Sequence, residues 1–395
     1  MSDSDFYKEA IFKSQVEYRN SSLTFKEVCE LAFKRCQLGT YKEMLDPELI
    51  TLFNLSVEYV AAYHSKLKER SNELAYHNLL HIQDCMTALS YLLLTSPELS
   101  YSDKLLGLIV MLVHDLGHEG KSNTELDVTQ ESKTLKLLES ELFKGLSVER
   151  LKTVSGLLLG TDPKIVPFNH SRFLSDPNTF NLLQVLINEA DIAASIGPLL
   201  SEDLTKALLI ERGSKAPSSL QIKNLYSEFS KGVSLSSSPG RYYLGFLQDR
   251  SISQKVGTDG MVDRISFVGI YSANAHTLER ARRGVEQYLS TLSRLSSSKR
   301  LDIMIGFGEL IQNTVRHAFK DPDLHSFYRV EILDRNGSLI INVLDNAPPN
   351  GDVAYLQTKR EPSEAGGMGI NLIKKVTSCY DLTALPSGNR HSLQF

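Results

Sequence analysis

The sequence has no apolar run long enough to cross a membrane. Its longest strongly apolar stretch, Leu105–Val113, falls far short of the roughly 20 residues that a helical span needs. Cysteine is scarce. Cys29, Cys36, Cys85 and Cys379 form no C-x-x-C pair and no even framework in a small domain, which points to reduced thiols. There is no basic excess. Lys and Arg number 43 against 47 Asp and Glu, a net charge of −4, so composition gives no sign of a general nucleic-acid binder. An anionic ligand would have to be held by local charge or by metal. The first residues, MSDSDFYKEAIFKSQ, are polar and acidic, unlike a signal peptide. The expectation is a cytoplasmic protein that engages neither membrane nor nucleic acid.

The length is 395 residues, and at roughly 100–200 residues per domain two or three domains are expected. The first 250 residues read as helices almost throughout. Apolar residues recur at helical spacing over 24–36, 47–68, 82–95, 103–116, 132–142, 148–159 and 179–195. The stretch 212–240, with ERGSKAPSS and SLSSSPG, reads as loop or linker. From about residue 262 the pattern changes to a mixed α/β layer. A strand ends near Tyr271, a helix follows from about Thr277, and a second helix runs over 300–319. FYRVEILD and SLIINVLD then form a hairpin about RNG, GINLIKKVTS is a helix, and a short strand closes the chain at HSLQF.

Two clusters in the helical part carry chemistry. YHNLLH (76–81) holds His77 and His81, four apart and so expected on one helix face; His114 and His118 in HDLGHEGKSN share that spacing. Asp115 follows His114, and Asp191 stands on the apolar helix LINEADIAAS. An unpaired buried carboxylate is costly, and a metal would offset the cost. Imidazole and carboxylate together suit zinc, manganese, iron or magnesium.

The order Y-H-N-x-x-H, H-D-x-x-H-x-G-x-x-N, A-D resembles the catalytic domain of class I cyclic-nucleotide phosphodiesterases, a branch of the HD metal-hydrolase superfamily; LLLGTDP (157–163) also looks like that family. The resemblance covers about residues 70–200 well and 200–250 poorly. It implies an all-helical domain with two divalent metals. His81, His114, Asp115 and Asp191 would hold the first, Asp115 would bridge to the second, and His118 would sit in the second metal's water shell. His77 would be the general acid. The implied substrate is a cyclic nucleotide or another nucleotide phosphoester. The chain departs from the family in three places: Gly117 stands where a second acid is usual, Tyr243 replaces the purine-reading Gln, and Phe246 is the remaining candidate for the stacking Phe.

The C-terminal third carries a second constellation. ELIQNTVRHAF (309–319) spaces Glu309, Asn313 and His317 four apart, VLDNAPPN ends a strand with Asp345, and EAGGMGINLI puts Gly366, Gly367 and Gly369 before a helix. Glycines allow close backbone approach, and a helix N-terminus favours phosphate. This order resembles the N, G1 and G2 boxes of the histidine-kinase-like (GHKL) ATPase superfamily. The E-L-x-x-N-x-x-x-H-A form looks most like anti-sigma-factor serine kinases. By that resemblance ATP and magnesium are the cofactors. Asn313 chelates magnesium, Asp345 accepts from the adenine amine, the three glycines line the phosphate lid, and Glu309 is the base. Ala347 stands where the G1 box has glycine. No histidine lies between His170 and His276, which disfavours a sensor histidine kinase.

The expected architecture is thus an N-terminal helical segment over 1–70, which covers the next domain or forms a homodimer surface. An HD phosphodiesterase-like domain follows over 71–250, then an α/β-sandwich GHKL domain over 262–395. The expected function is bifunctional: nucleotide hydrolysis at one end, and ATP-dependent action on a regulatory protein partner, anti-anti-sigma-like, at the other. The alternative is a binding module in which the HD domain senses a nucleotide and the ATPase-like domain sequesters or phosphorylates a partner-switching protein.

Overall fold

The computed structural model describes residues 6–245, 265–319, 322–335, 338–349 and 368–395. Phe246, Gly366, Gly367 and the turn at 336–337 lie outside the described residues. The chain divides into two compact units. One comprises Lys8–Leu94 and Tyr101–Val256; the other comprises Met1–Tyr7, Thr95–Ser100 and Gly257–Phe395.

The first unit is all-helical: α1 (Phe6–Arg19), α2 (Phe25–Arg35), α3 (Pro47–Glu69), α4 (Leu79–Leu94), α5 (Tyr101–Val113), α6 (Gln130–Glu141), α7 (Val148–Leu159), α8 (Val166–Ser175), α9 (Thr179–Ile196), α10 (Ser201–Glu211), α11 (Ser219–Gly232) and α12 (Ser238–Leu244). Its starts are written in local chemistry. Thr24 and Glu27 form a capping box on α2, and Asp46 caps α3 with Pro47 in the first turn.

The centre is built from α4, α5 and α9, which pack on one another. Past its first turn each is buried almost throughout, the exceptions being Tyr91 on α4 and Asp191 and Ile192 on α9, as expected of helices that are apolar around most of their circumference. Charges inside that core are paired. Asp84 on α4 accepts from Arg19 Nε of α1 at 3.1 and 3.0 Å, and Gln15 Nε2 donates to the Asp84 carbonyl at 3.0 Å. The helix bearing His81 is thereby pinned from its outer side.

The linker expected over 212–240 is corrected. Ser218 and Gln221 form a capping box that starts α11, and Ser237 accepts from the Gly240 amide to start α12. The serines that suggested loop are helix caps, and the weakly apolar α11 buries little beyond Ile222.

The second unit is a five-stranded antiparallel sheet in the order β1-β2-β3-β5-β4, with β1 Ile265–Ser272, β2 Phe327–Arg335, β3 Ser338–Asp345, β4 Cys379–Leu385 and β5 Gly388–Gln394. Helices α13 (Ala275–Ser290), α14 (Ser297–Asn313) and α15 (Met368–Val376) cover one face. Alternate residues of the hairpin, Val330, Ile332, Ile341 and Val343, meet Ala281, Val285, Phe307 and Ile311 in this core, as the period of two requires. On the other face Arg329 is buried; its guanidinium donates to Glu98 and to the Thr95 carbonyl and forms an ion pair with Glu331. The expected helix over 300–319 is corrected at its end: α14 stops at Asn313, and a π-turn spans Thr314–Ala318. His317 is therefore out of register with Glu309 and Asn313, and it is exposed.

Candidate functional sites: a histidine–carboxylate centre and a buried aspartate

His81 opens α4, His114 and Asp115 directly follow α5, and Asp191 lies near the end of α9. The three central helices thus deliver their donors to one place. His81 Nε2 is 3.1 Å from Asp115 Oδ2 and 3.2 Å from Asp191 Oδ1; His114 Nε2 is 3.1 and 3.3 Å from the same atoms.

The expectation that His77 shares a helix face with His81 is corrected. Asn78 Oδ1 accepts from the amides of Leu80 and His81 at 2.9 and 3.2 Å, so Asn78 caps α4 and His77 precedes it. His118 likewise lies beyond α5, in a turn where Gly117 and Gly120 hold φ of +77° and +72°. Tertiary structure nevertheless brings His77 and His118 together. Their rings stack at 3.6 Å between centroids.

The carboxylate partner of this pair is Glu211, on α10. Its Oε2 accepts from the amides of Tyr76 and His77 at 2.9 and 3.0 Å, and its Oε1 accepts from His77 Nδ1. Burial raises the Glu211 carboxyl, but His77 and the two amides more than reverse that and hold it below its ordinary value. His118 Nδ1 accepts from the Gly120 amide at 2.9 Å. Burial, and then the neighbouring His77, lower His118 to about 4, so it is neutral at pH 7. Gly120 lets its loop close on this group: a Cβ there would stand 3.1 Å from Leu74 Cδ2 and 3.2 Å from Glu211 Cγ.

The donors fit a cation. His114 Nδ1 lies 2.9 Å from the Met111 carbonyl, which only accepts, so Nδ1 carries the proton and neutral His114 presents a bare Nε2. That Nε2 and Asp115 Oδ2 are buried and face each other without a hydrogen bond to either. Two lone-pair atoms at that distance need a proton or a positive ion between them. With protons alone, burial disfavours the imidazolium forms, yet the adjacent groups push both His81 and His114 well above the ordinary histidine value. Asp115 and Asp191 are held far below the ordinary carboxylate range despite burial, which acts to raise them.

His77, His114, Asp115, His118, Asp191 and Glu211 line a cavity of about 350 Å³ that also includes Asn123, Glu131 and Asp162. Asn123 Nδ2 donates to Glu131 Oε2 at 2.8 Å and to Asp162 Oδ1 at 3.2 Å. Lys121, Lys164 and Arg212 stand at the same cavity. Glu211, Glu131 and Asp162 were not singled out from sequence. Asn123 and Asp162 do fall inside the quoted motifs, whereas Glu211 sits in a segment with no motif. Tyr243, where a purine-reading Gln was expected, is fully buried on α12 and does not line the cavity.

In the second unit Asp345 ends β3 with no exposed surface. Its Oδ1 accepts from the Ala347 amide and from Asn389 Nδ2, both at 3.0 Å. Its Oδ2 has no hydrogen-bond partner among the described residues, with His391 Nε2 at 3.4 Å. Ala347 is itself buried, so its methyl is accommodated where a glycine was expected. Glu309 and Asn313 meet Gly369 at the start of α15. A Cβ on Gly369 would stand 2.8 Å from Glu309 Oε2 and 3.1 Å from Asn313 Nδ2. Asn389 and His391 were not foreseen; they belong to the GNRHSLQF strand, which pairs with β3.

Residues 271–395 match the family model of the histidine kinase-like ATPase domain. The helical unit with an antiparallel sheet-and-helix unit after it is consistent with that match. No curated protein sequence matches the chain. Among solved structures the chain is similar to LmjPDEB1 in complex with IBMX, at 18% identity over 60% of this chain and 78% of that one, with a TM-score of 0.39. A likeness this slight carries no argument about chemistry. No helix among the described residues is long and apolar enough to cross a membrane.

Proposed function

We propose that the helical unit is a metal-dependent phosphodiesterase-type hydrolase acting on a nucleotide phosphoester, a 3′,5′-cyclic nucleotide first. The observation that carries this is the convergence of His81, His114, Asp115 and Asp191, with donor atoms 3.1–3.3 Å apart and two of them buried without partners. These four residues would hold a divalent ion. Asp115 and His118, with Glu131 and Asp162 nearby, would face a second. Bound ions supply Lewis-acid polarisation of the phosphoryl group and an activated water. The chain's own part is proton delivery. Glu211 orients His77 through Nδ1, and His77 lies on the cavity wall, where it would give a proton to the leaving oxygen. His118, neutral and stacked on His77, leaves the acid role to His77. The cationic side chains at the mouth support an anionic substrate.

For the C-terminal unit we infer ATP and magnesium binding. Asp345 Oδ2 would accept from the adenine amine, Asn313 would hold magnesium, Gly369 would stand at the phosphates, and Glu309 would act as base toward a serine on a regulatory protein. The half-satisfied buried carboxylate of Asp345 carries this reading.

The test incubates the purified chain, with manganese or magnesium, with cyclic AMP, cyclic GMP and a generic phosphodiester. Turnover that disappears in Asp115→Ala supports the hydrolase. Absence of turnover with every metal and substrate sinks it. Binding of labelled ATP by the wild type tests the second half.

A further inference from the structure

Asp345 stands two residues after Val343 on β3, and His391 two before Leu393 on β5, so both share the face of the sheet that the helices cover. Both are buried. The Asp345 carboxylate is fixed from one side. Its Oδ1 accepts from the Ala347 amide and from Asn389 Nδ2, each at 3.0 Å, and Asn389 Nδ2 also lies 3.3 Å from the Pro348 carbonyl oxygen. Oδ2 is thereby turned toward His391 Nε2, 3.4 Å away, and has no hydrogen-bond partner among the described residues. That separation is longer than the roughly 2.7–3.2 Å of an N–H···O bond, so the two groups face one space without closing on each other.

The other nitrogen of the ring is taken: His391 Nδ1 lies 3.0 Å from the Tyr380 hydroxyl. A carboxylate oxygen only accepts, so a bare Nε2 toward Oδ2 would set lone pairs against each other. The proton therefore sits on Nε2, and Tyr380 donates to Nδ1. His391 is on an inner strand, with Val343 of β3 and Leu382 of β4 opposite it, which holds the ring in place. The outcome is a fixed donor beside a fixed acceptor.

Resting on the reading of this unit as an ATP site, we propose that His391 is its second base-reading residue: Nε2–H donates to adenine N1 while Asp345 Oδ2 accepts from the exocyclic amine on the adjacent carbon. Adenine carries that acceptor and that donor at neighbouring positions of its six-membered ring. Guanine carries them reversed, with an oxygen where adenine has its amine and an N–H where adenine has N1. Both side chains then reject guanine, the carboxylate meeting an acceptor and the imidazole meeting a donor. Selectivity for an adenine nucleotide thus rests on one side chain from each of two adjacent strands, β3 and β5.

The experiment measures, by calorimetry with magnesium present, the binding of ATP and of 1-deaza-ATP to the full-length chain; in the analogue a C–H replaces N1. The wild type should bind 1-deaza-ATP about 5–150-fold more weakly than ATP. His391→Phe keeps an aromatic ring but loses the N–H. It should bind ATP more weakly by a similar factor and should bind the two nucleotides alike, the signature of a direct contact between the two altered groups. A penalty for 1-deaza-ATP that persists in full in His391→Phe overturns the His391 contact and leaves the ATP site standing. Equal affinity of the wild type for ATP and 1-deaza-ATP does the same, and that comparison needs no variant, so it is decisive even if His391→Phe does not fold. Absence of ATP binding by the wild type overturns the ATP site and this proposal together.

Discussion

His77 and Glu211 are held together across 134 positions of sequence, the carboxylate taking both the imidazole Nδ1 proton and the backbone amide of the same histidine. This contact fixes the ring's tautomer and orientation and leaves its other nitrogen for the cavity.

Glu211→Gln should therefore lower kcat by about 10–100-fold with little change in KM or bound metal, since a general acid contributes on the order of 100–10,000-fold and the amide keeps part of its positioning. Glu211→Ala should cost more than the amide variant. Steady-state kinetics beside metal analysis check this. A rise in KM with kcat unchanged would show that Glu211 serves substrate binding instead.

Asp191→Asn removes a negative charge from a centre where two imidazoles and Asp115 also converge. Affinity for the divalent ion should drop by at least about 10-fold, with helix content unchanged. Calorimetric titration and far-ultraviolet circular dichroism read the two quantities separately.

Asp345→Asn leaves the fold's hydrogen bonds to Oδ1 largely possible but presents a donor where, on the proposed reading, Oδ2 would meet the adenine amine. Mispairing one buried hydrogen bond costs about 1–3 kcal/mol, so labelled ATP should bind roughly 5–150-fold more weakly. Equal affinity in both proteins would remove the adenine-contact role.

His170 and Glu189 give a pH dependence that is independent of the metal centre. His170 Nδ1 pairs with Ser236 Oγ at 2.9 Å, and burial lowers His170 from 6.5 to about 4. Between those values the unfolded chain binds a proton that the folded chain refuses, so this contribution to stability is lost as pH falls from 6.5 toward 4, by about 3 kcal/mol. Glu189 accepts from the Ser236 and Ser237 amides at 2.7 and 3.0 Å, and burial raises it from 4.5 to about 7, so its contribution is lost as pH rises across that range. The two effects oppose each other, and the comparison must be with a variant. Denaturant unfolding of His170→Gln from pH 7 to pH 4 should show a smaller loss of stability than wild type. Parallel curves would exclude the histidine as the source.

Much of the architecture was legible in sequence because it depends on local periodicity. α3, α7 and α9 fall where apolar spacing put them, and the FYRVEILD–SLIINVLD hairpin pairs in the register its alternation implies. Legibility failed where polar residues do structural work. In sequence the Ser218–Gln221 capping box looks like loop, and Asn78, part of the Y-H-N-x-x-H motif, ends the continuity between His77 and His81 by capping α4.

The sequence by itself determined which side chains could do chemistry, since histidines and aspartates embedded in apolar helices must be compensated wherever they end up. It also determined the helical and mixed characters of the two parts, because periodicity is a local property. Only the tertiary structure decided which of those groups meet. The packing of α4, α5 and α9 brings His81, His114, Asp115 and Asp191 within 3.1–3.3 Å. Residues far apart in the chain, Glu211 beside His77 and Asn389 beside Asp345, become partners through packing contacts that no local pattern encodes.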